Sequence, residues 1–285
     1  MDVADNAESA YEQGMDLLAR SCYDEALEAF ALALEFQEDF AAVYFSRAYA
    51  YTLLDDYSKA IKDYTKAIAL DPKNPWAYVY RSYAHSAQSD LQSAIEDCTS
   101  ALAVNPRLAM AYIERGYSAF KLGRYRESVK DFTAFLTLNP RDSSAYFCRA
   151  IAYSELDEPG HTILDLTNAI KYNSKDFSAY FCRGIAYQRI GEFQKAIDDY
   201  NSALDINPEY NHAKQNRAAA HTDLHRAQRN HEAANIVRSS ATRIKVRNLL
   251  ARLRRAARLP KVNQPAATED ELRTRIDRRL CRTPV

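Results

Sequence analysis

Six arginines recur at one unbroken interval: Arg47, Arg81, Arg115, Arg149, Arg183 and Arg217. The residues around them recur as well, as in AYFCRAIAY at 145–153 and AYFCRGIAY at 179–187. A fixed period of about 34 residues does not describe one globule packed around one core. It marks helix pairs stacked into a solenoid, each unit burying its apolar face against its neighbours. The usual product of such a chain is a long curved binding surface and not a catalytic pocket.

The other columns explain how a unit closes. A small residue follows each arginine position, as Gly14, Ala48, Ser82, Gly116, Ala150, Gly184 and Ala218, and a second small column follows twelve positions later as Ala26, Ala60, Ala94, Ser128, Thr162 and Ala196. Four further on stands a larger residue (Phe30, Tyr64, Cys98, Phe132, Leu166, Tyr200), and three beyond it Ala33, Ala67, Ala101, Phe135, Ala169 and Ala203. The i, i+4, i+7 spacing is one helical face. Two small columns on facing helices allow close backbone approach, and the rings fill the flanks. Asp71-Pro72, Asn105-Pro106, Asn139-Pro140 and Asn207-Pro208 close their units, because proline cannot continue a helix.

This pattern resembles the tetratricopeptide repeat, an antiparallel helix pair of about 34 residues. The resemblance covers about 7–225, with units 7–40, 41–74, 75–108, 109–142, 143–176 and 177–210 and a lone first helix from 211. It implies an all-α solenoid, a right-handed superhelix of stacked antiparallel helix pairs with thirteen or more helices and no strand. The expected organisation is a leader 1–6, an array 7–230, a basic amphipathic helix 231–260, and a linker with a short charged helix over 261–285. The family's geometry also implies a concave groove lined by the first helices, which takes an extended peptide or a partner's helix. In this chain that places Phe45, Tyr49, Val79, Tyr83, Ile113, Tyr117, Phe147, Ile151, Phe181 and Ile185 on the wall. Trp76, Met110, Thr52, Phe120, Lys121, Glu155, Gln188 and Arg189 fall near the helix ends. Aromatic and aliphatic residues dominate, and the lysines and asparagines with which related domains grip a terminal carboxylate are missing from these columns. The expected ligand is therefore a protein or peptide offering apolar or aromatic side chains, although many of the same residues would also serve packing between helices.

Unit 143–176 departs from the pattern. It has Thr162 for alanine, Ser174 for proline, and Pro159-Gly160 where neighbouring units carry an aromatic staple; Phe135 replaces a small residue just before it. These changes predict either a looser second half or drift repaired by repacking.

The arginines have companions at the same period: Asp63, Asp97, Asp131, Asp165 and Asp199. Arginine pairs bidentately with a carboxylate, and a partly buried guanidinium requires such a partner, so this ladder reads as structural. The reading adopted pairs Arg149 with Asp131. The first unit, with Gln13 and Ala29, lacks both members.

The net charge of zero conceals an asymmetry. Residues 211–285 hold 18 Lys/Arg against 6 Asp/Glu, a net of +12, leaving −12 on 1–210. Within 231–260, Val246, Leu249, Leu250, Leu253 and Ala257 share a stripe, and Arg243, Arg247, Arg254 and Arg258 share another face, with Lys245, Arg252 and Arg255 adding charge. Residues 211–238 suit a capping helix over the last unit. Beyond 240 the arginine density exceeds that need and points to an acidic partner, to the acidic array itself, to nucleic-acid phosphate or to anionic lipid. No aromatic residue lies between 211 and 285, so a base-stacking platform is absent there. Pro260 should end the helix, and Thr268 with Glu271 forms a capping signature for the last segment.

The remaining signals favour binding over chemistry. The N-terminus, MDVADNAESA, is acidic and does not resemble a secretory signal, and no stretch approaches ~18 apolar residues. Five cysteines lack metal-ligand spacing; Cys148 and Cys182 share a column, but stacked helices ~8–10 Å apart exceed disulfide reach. A reducing, cytoplasmic compartment fits, with a nuclear one also compatible. His221 and His225 stand at i, i+4 with His212 and His231 nearby, yet no third ligand is evident, so no metal and no cofactor are expected. No phosphate-cradling loop or nucleophile elbow occurs, and six glycines offer little for a loop-built active site. The expected function is a non-catalytic adaptor that binds a partner segment in its groove, with a basic tail for a second partner. The alternative is a nucleic-acid- or anionic-membrane-associated factor working through that tail, with no small-molecule substrate in either case.

Overall fold

The computed structural model describes residues 3–257, which form thirteen helices and no strand. The linker at 261–265, the segment from Thr268 and Arg258 lie outside the described residues. Six helix pairs follow in chain order: α1 (Val3–Ala19) with α2 (Tyr23–Phe36), α3 (Ala41–Leu53) with α4 (Tyr57–Leu70), α5 (Pro75–Ala87) with α6 (Leu91–Val104), α7 (Ala109–Lys121) with α8 (Tyr125–Leu138), α9 (Ser143–Glu155) with α10 (Pro159–Tyr172), and α11 (Phe177–Arg189) with α12 (Phe193–Ile206). A single helix, α13 (Asn211–Ala257), completes the described chain. One compact unit ends at Leu224, and a second begins at His225.

Every turn between first and second helix is built alike. Ser21, Asp55, Ser89, Gly123, Asp157 and Gly191, again one repeat apart, sit at positive φ between 56° and 79°. In each case that residue's N–H and the next one bond back to the helix, as Asp55 N–H to Thr52 O (3.2 Å) and Asp56 N–H to Tyr51 O (2.9 Å). This two-bond cap satisfies carbonyls that a helix end otherwise leaves open. Only two of the six residues are glycine, so four positions hold an L side chain where the backbone disfavours one. Two of the second helices, α4 and α6, then start on side-chain caps, with Lys59 N–H donating to the Asp56 carboxylate and Ser93 N–H to Asp90.

Packing within a pair follows one offset throughout, position i against position i+16. Phe30, Tyr64, Cys98, Phe132, Leu166 and Tyr200 are all fully buried against the small column of the preceding helix. A Cβ added to Gly14 would lie 2.5 Å from the Phe30 ring, and one on Gly184 would lie 2.6 Å from Tyr200. The core is accordingly a chain of small clusters and not one mass. Phe30 packs with Val43 and Ala50 at one end, and Tyr200 with Ala196, Ile197 and Ala220 at the other.

The same offset places the arginine ladder. Arg47 meets Asp63 through two hydrogen bonds (2.6 and 2.9 Å), and Arg81–Asp97, Arg115–Asp131, Arg149–Asp165 and Arg183–Asp199 repeat it. Arg149 therefore pairs with Asp165 of its own unit and not with Asp131, because the antiparallel return of α10 brings position i+16 opposite position i. A third contact escaped the sequence reading: the other guanidinium nitrogen of Arg81, Arg115, Arg149 and Arg183 donates to Thr65, Thr99, Thr133 and Thr167 of the preceding second helix (2.9 to 3.1 Å). Each such arginine bolts three helices together. A tyrosine three positions earlier stacks beneath it, from Tyr44 under Arg47 (5.5 Å) to Tyr180 under Arg183 (5.8 Å). Arg217 keeps the contact to the preceding second helix only, through Asn201 (2.8 Å), since no aspartate follows it at the repeat distance.

In unit 143–176 each departure from the pattern is accommodated by local packing. Pro159 is the first residue of α10, where its missing N–H has no intrahelical partner to lose, and a Cβ on Gly160 would touch nothing within 4 Å. Thr162 is buried with its hydroxyl donating to Glu158 O at 3.0 Å. Phe135 is buried beside Leu136 and Ala145, with Tyr112 and Ile113 closing over it.

Candidate partner-binding groove

Successive first helices α1, α3, α5 and α7 approach one another to within 8 Å, whereas the second helices make their extensive contacts with first helices alone. The first helices α1, α3, α5 and α7 thus lie side by side along one face of the stack. Two apolar pockets open there, on either side of α7.

The first, about 300 Å³, is lined by Tyr49, Thr52 and Leu53 of α3, Val79, Tyr80 and Tyr83 of α5, and Met110 and Glu114 of α7. Tyr49 stands edge-on to Tyr80 (5.3 Å between centroids), so the two lining rings hold one another. Tyr83 and Met110 are exposed at 45% and 44%. Val79, expected on the wall, is only 3% exposed and packs with Ala101, Leu108 and Ala111, so it is a floor residue. The second pocket, about 310 Å³, is lined by Tyr117, Phe120 and Lys121 of α7, Phe132 of α8, and Phe147, Cys148 and Ile151 of α9.

Tyr117 is more tightly held than its exposed counterpart Tyr83. Its ring meets Phe132 edge-on (5.4 Å), and its oxygen accepts from the Cys148 thiol (3.3 Å). Burial first, and that hydrogen bond second, push its hydroxyl above the ordinary tyrosine value. Burial likewise raises Cys148, and pushes Cys98 up to about 12 and Cys182 to about 11, which disfavours the thiolate at all three.

The other expected wall residues divide. Trp76 is 42% exposed but lines neither pocket, stacking obliquely on Tyr80 (6.1 Å). Phe45 is half-buried against Tyr64 and Tyr80, Ile113 covers Phe135, and Phe181 and Ile185 pack round Tyr200. These four are packing residues, the alternative use the sequence allowed for. Gln188 is structural as well: its carbonyl accepts from Tyr200 and its amide donates to Asp223, each at 3.0 Å. Leu53, Tyr80, Glu114, Cys148 and Phe132 were not foreseen as lining. The column one residue before the arginines (Ser46, Tyr80, Glu114, Cys148, Cys182, Asn216) carries the signal for three of them.

Glu114 is the unusual member. Burial raises its carboxyl above the ordinary value, with Lys121 acting in the opposite direction. Among the described residues no hydrogen-bond or ion-pair partner is present for it.

In the second unit, Arg243, Lys245, Arg247 and Arg252 are exposed on α13, as are Ile236, Ile244 and Leu249, while Val246 and Leu250 are half-buried. The side chains of Arg254 and Arg255 lie outside the described residues. Among the described residues no group of three or more His, Cys, Asp or Glu side chains converges as a metal site would need, and no helix is long and apolar enough to cross a membrane.

Family models for the tetratricopeptide repeat match at 41–74 and 177–210, the spans of α3–α4 and α11–α12, and further models of that repeat match at 63–96 and 113–158. The chain is a tetratricopeptide-repeat protein. No curated protein sequence matches it. Solved structures that share the fold include YrrB, described as a TPR protein with an unusual peptide-binding site (20% identity, TM-score 0.60, 66% of this chain and 97% of that one). They also include PilF of Pseudomonas aeruginosa (14%, 0.63, 77% and 100%) and the APC/C hetero-tetramer Cut9–Hcn1 (18%, 0.56, 75% and 42%). At these identities the likeness is one of fold. As a tetratricopeptide-repeat protein the chain is a scaffold for protein–protein interaction, a family whose members are in general not catalysts.

Proposed function

We propose that this tetratricopeptide-repeat protein is a non-catalytic adaptor that holds an extended partner segment against the inner face of α3, α5, α7 and α9. The observation that carries this reading is the pair of apolar pockets flanking one helix, each of a size to take a side chain and open enough to admit one. YrrB, of the same fold, is described as having a peptide-binding site, which supports a peptide ligand here. The basic helix over Arg243, Lys245, Arg247 and Arg252 serves a second, acidic partner, and the site of action is the cytoplasm.

Panning a displayed library of random short peptides on the intact protein tests the groove. Tyr83→Ala with Met110→Ala, both at exposed positions, should lose the selected peptides while keeping the helical circular dichroism signal. Selected peptides that bind this double variant as well as the parent would refute the groove.

A second reading is favoured by exposed Ile236, Ile244 and Leu249 beside exposed arginines: association of α13 with phosphate-bearing surfaces, nucleic acid or anionic lipid. Arg243→Glu with Arg247→Glu should then abolish retention on heparin and on phosphatidylserine vesicles in a salt-dependent way. Unchanged retention on both removes that reading.

A further inference from the structure

We propose that the pocket between α3, α5 and α7 is a receptor for a lysine or arginine side chain of the partner peptide, its stem lying along Tyr49 and Tyr83 and its charged head on the Glu114 carboxylate. This rests on the groove reading above and specifies the chemistry of its ligand.

The argument begins with the exceptional state of Glu114. Every buried aspartate of the array, from Asp63 to Asp199, is held by a two-bond arginine. Glu114 is a half-buried carboxylate in an apolar wall with no such partner among the described residues. It is also the one acidic residue in the sequences of α3, α5 and α7, so nothing else on those helices competes for an incoming cation. Their arginines Arg47, Arg81 and Arg115 are already engaged, and Lys121 stands two helical turns away, about 10 Å along the axis. A carboxylate partly withdrawn from water without a counter-charge is disfavoured, and a cation delivered by a ligand offsets that cost. Burial raises the Glu114 carboxyl, as expected for a group in that condition.

The surroundings select for a long cationic side chain. Tyr49, Tyr80 and Tyr83 line a cavity of about 300 Å³, and aromatic walls of this kind suit a methylene stem and a cation at its head. The array's net charge of −12 over 1–210 draws in basic segments and repels acidic ones. Beyond α7 lies the second pocket, with Phe120, Phe147 and Ile151 and no acidic residue in its lining. Met110 and Glu114 face one pocket and Tyr117 and Lys121 the other, so α7 is the ridge between them. Neighbouring helices lie ~8–10 Å apart and an extended chain advances ~3.3 Å per residue, so the two pockets read a basic and an apolar residue about three positions apart.

The test uses the full chain and a displayed library of random short peptides. The parent should enrich sequences with lysine or arginine about three positions from a large apolar residue. A synthetic peptide of that kind should lose about ten- to hundred-fold in affinity when its basic residue becomes norleucine, and by a similar factor against Glu114→Gln. Glu114→Gln preserves shape and removes a partly desolvated charge, so the variant should melt no lower than the parent. Glu114→Lys should recover binding to the peptide whose basic residue is replaced by glutamate. Enriched peptides that are purely apolar, and that Glu114→Gln binds equally, would overturn the cation pocket and leave the groove standing. Enriched peptides indifferent to Tyr83→Ala with Met110→Ala would overturn both.

Discussion

Replacing Arg149 by leucine is the sharpest probe of what holds the stack together. The guanidinium is 16% exposed and Asp165 only 2%, with both nitrogen-to-oxygen bonds at 2.7 to 2.8 Å. The substitution leaves an almost fully buried carboxylate without a counter-charge, orphans the Thr133 hydroxyl contact (2.9 Å) and uncovers the Tyr146 ring (5.6 Å). Breaking one side of a buried pair costs about 3–5 kcal/mol, against about 0–1 kcal/mol for a surface pair. Arg217 supplies the internal control. It has no aspartate at the repeat distance and donates only to Asn201 at an exposed site, so Arg217→Leu should cost about 1 kcal/mol or less. Because contacts run between neighbours, the loss should appear locally. Amide hydrogen exchange followed by mass spectrometry should show faster exchange over α8 to α10 for Arg149→Leu, with α1 to α4 unchanged, and urea unfolding should give the larger loss for Arg149. Pairing Arg149→Leu with Asp165→Leu should recover much of the stability, since two apolar side chains leave no buried charge. Equal losses at Arg149 and Arg217, or a double variant no better than the single, would refute the claim that the ladder is a buried structural device.

Other outcomes follow from the same geometry. Ser89 sits at φ 65° in a turn that glycine fills at two equivalent positions, so Ser89→Gly should raise stability by about 1 kcal/mol, and Gly123→Ala (φ 73°) should lower it by about as much, read as opposite shifts in Tm. Gly184→Ala pushes a methyl to 2.6 Å from the Tyr200 ring and should cost about 1–3 kcal/mol, whereas Gly160→Ala, with open space around it, should be neutral or stabilising; reversed signs in urea unfolding would count against this packing. Glu114 binds its proton more tightly folded than unfolded, so its contribution favours the native state below the ordinary carboxylate range and is lost as pH rises from that value through the raised one. The difference in Tm between Glu114→Gln and the parent should therefore widen in the variant's favour across that window; a difference that stays flat with pH would contradict it. Tyr117→Ala, unlike Tyr83→Ala, should lower Tm as well as peptide affinity, because its ring packs on Phe132 and its oxygen holds the Cys148 thiol.

Much of the fold was legible because a stacked array places each column in the same environment once per unit. The period marked the helix pairs, the small and aromatic columns marked which faces meet, and Arg with Asp marked a ladder. The groove was less legible. Tyr49, Tyr83, Met110, Tyr117, Phe120, Phe147 and Ile151 do line the pockets, but Phe45, Ile113, Phe181 and Ile185 are spent on packing between helices. A helical repeat pattern tells which stripe a residue occupies, but a stripe on a first helix borders both the open face and the neighbouring helix, and side-chain reach decides between them. Pro159-Gly160 left two readings open for a related reason: the pair departs from the aromatic staple of the neighbouring units, yet at the first two positions of a helix its N–H groups have no intrahelical bond to lose.

The sequence by itself determined the architecture of units, their length and their order, because periodic burial demands periodic residues. It left the partner of each arginine open: Asp131 and Asp165 occupy the same column one unit apart, and a period cannot distinguish one neighbour from the next. Only the antiparallel return of each second helix decided for i+16 and brought the threonine of the preceding unit to the same guanidinium. The pockets, too, belong to the tertiary structure. Each is bounded by side chains from two or three units, and a lone carboxylate such as Glu114 acquires its character only when those apolar neighbours close around it.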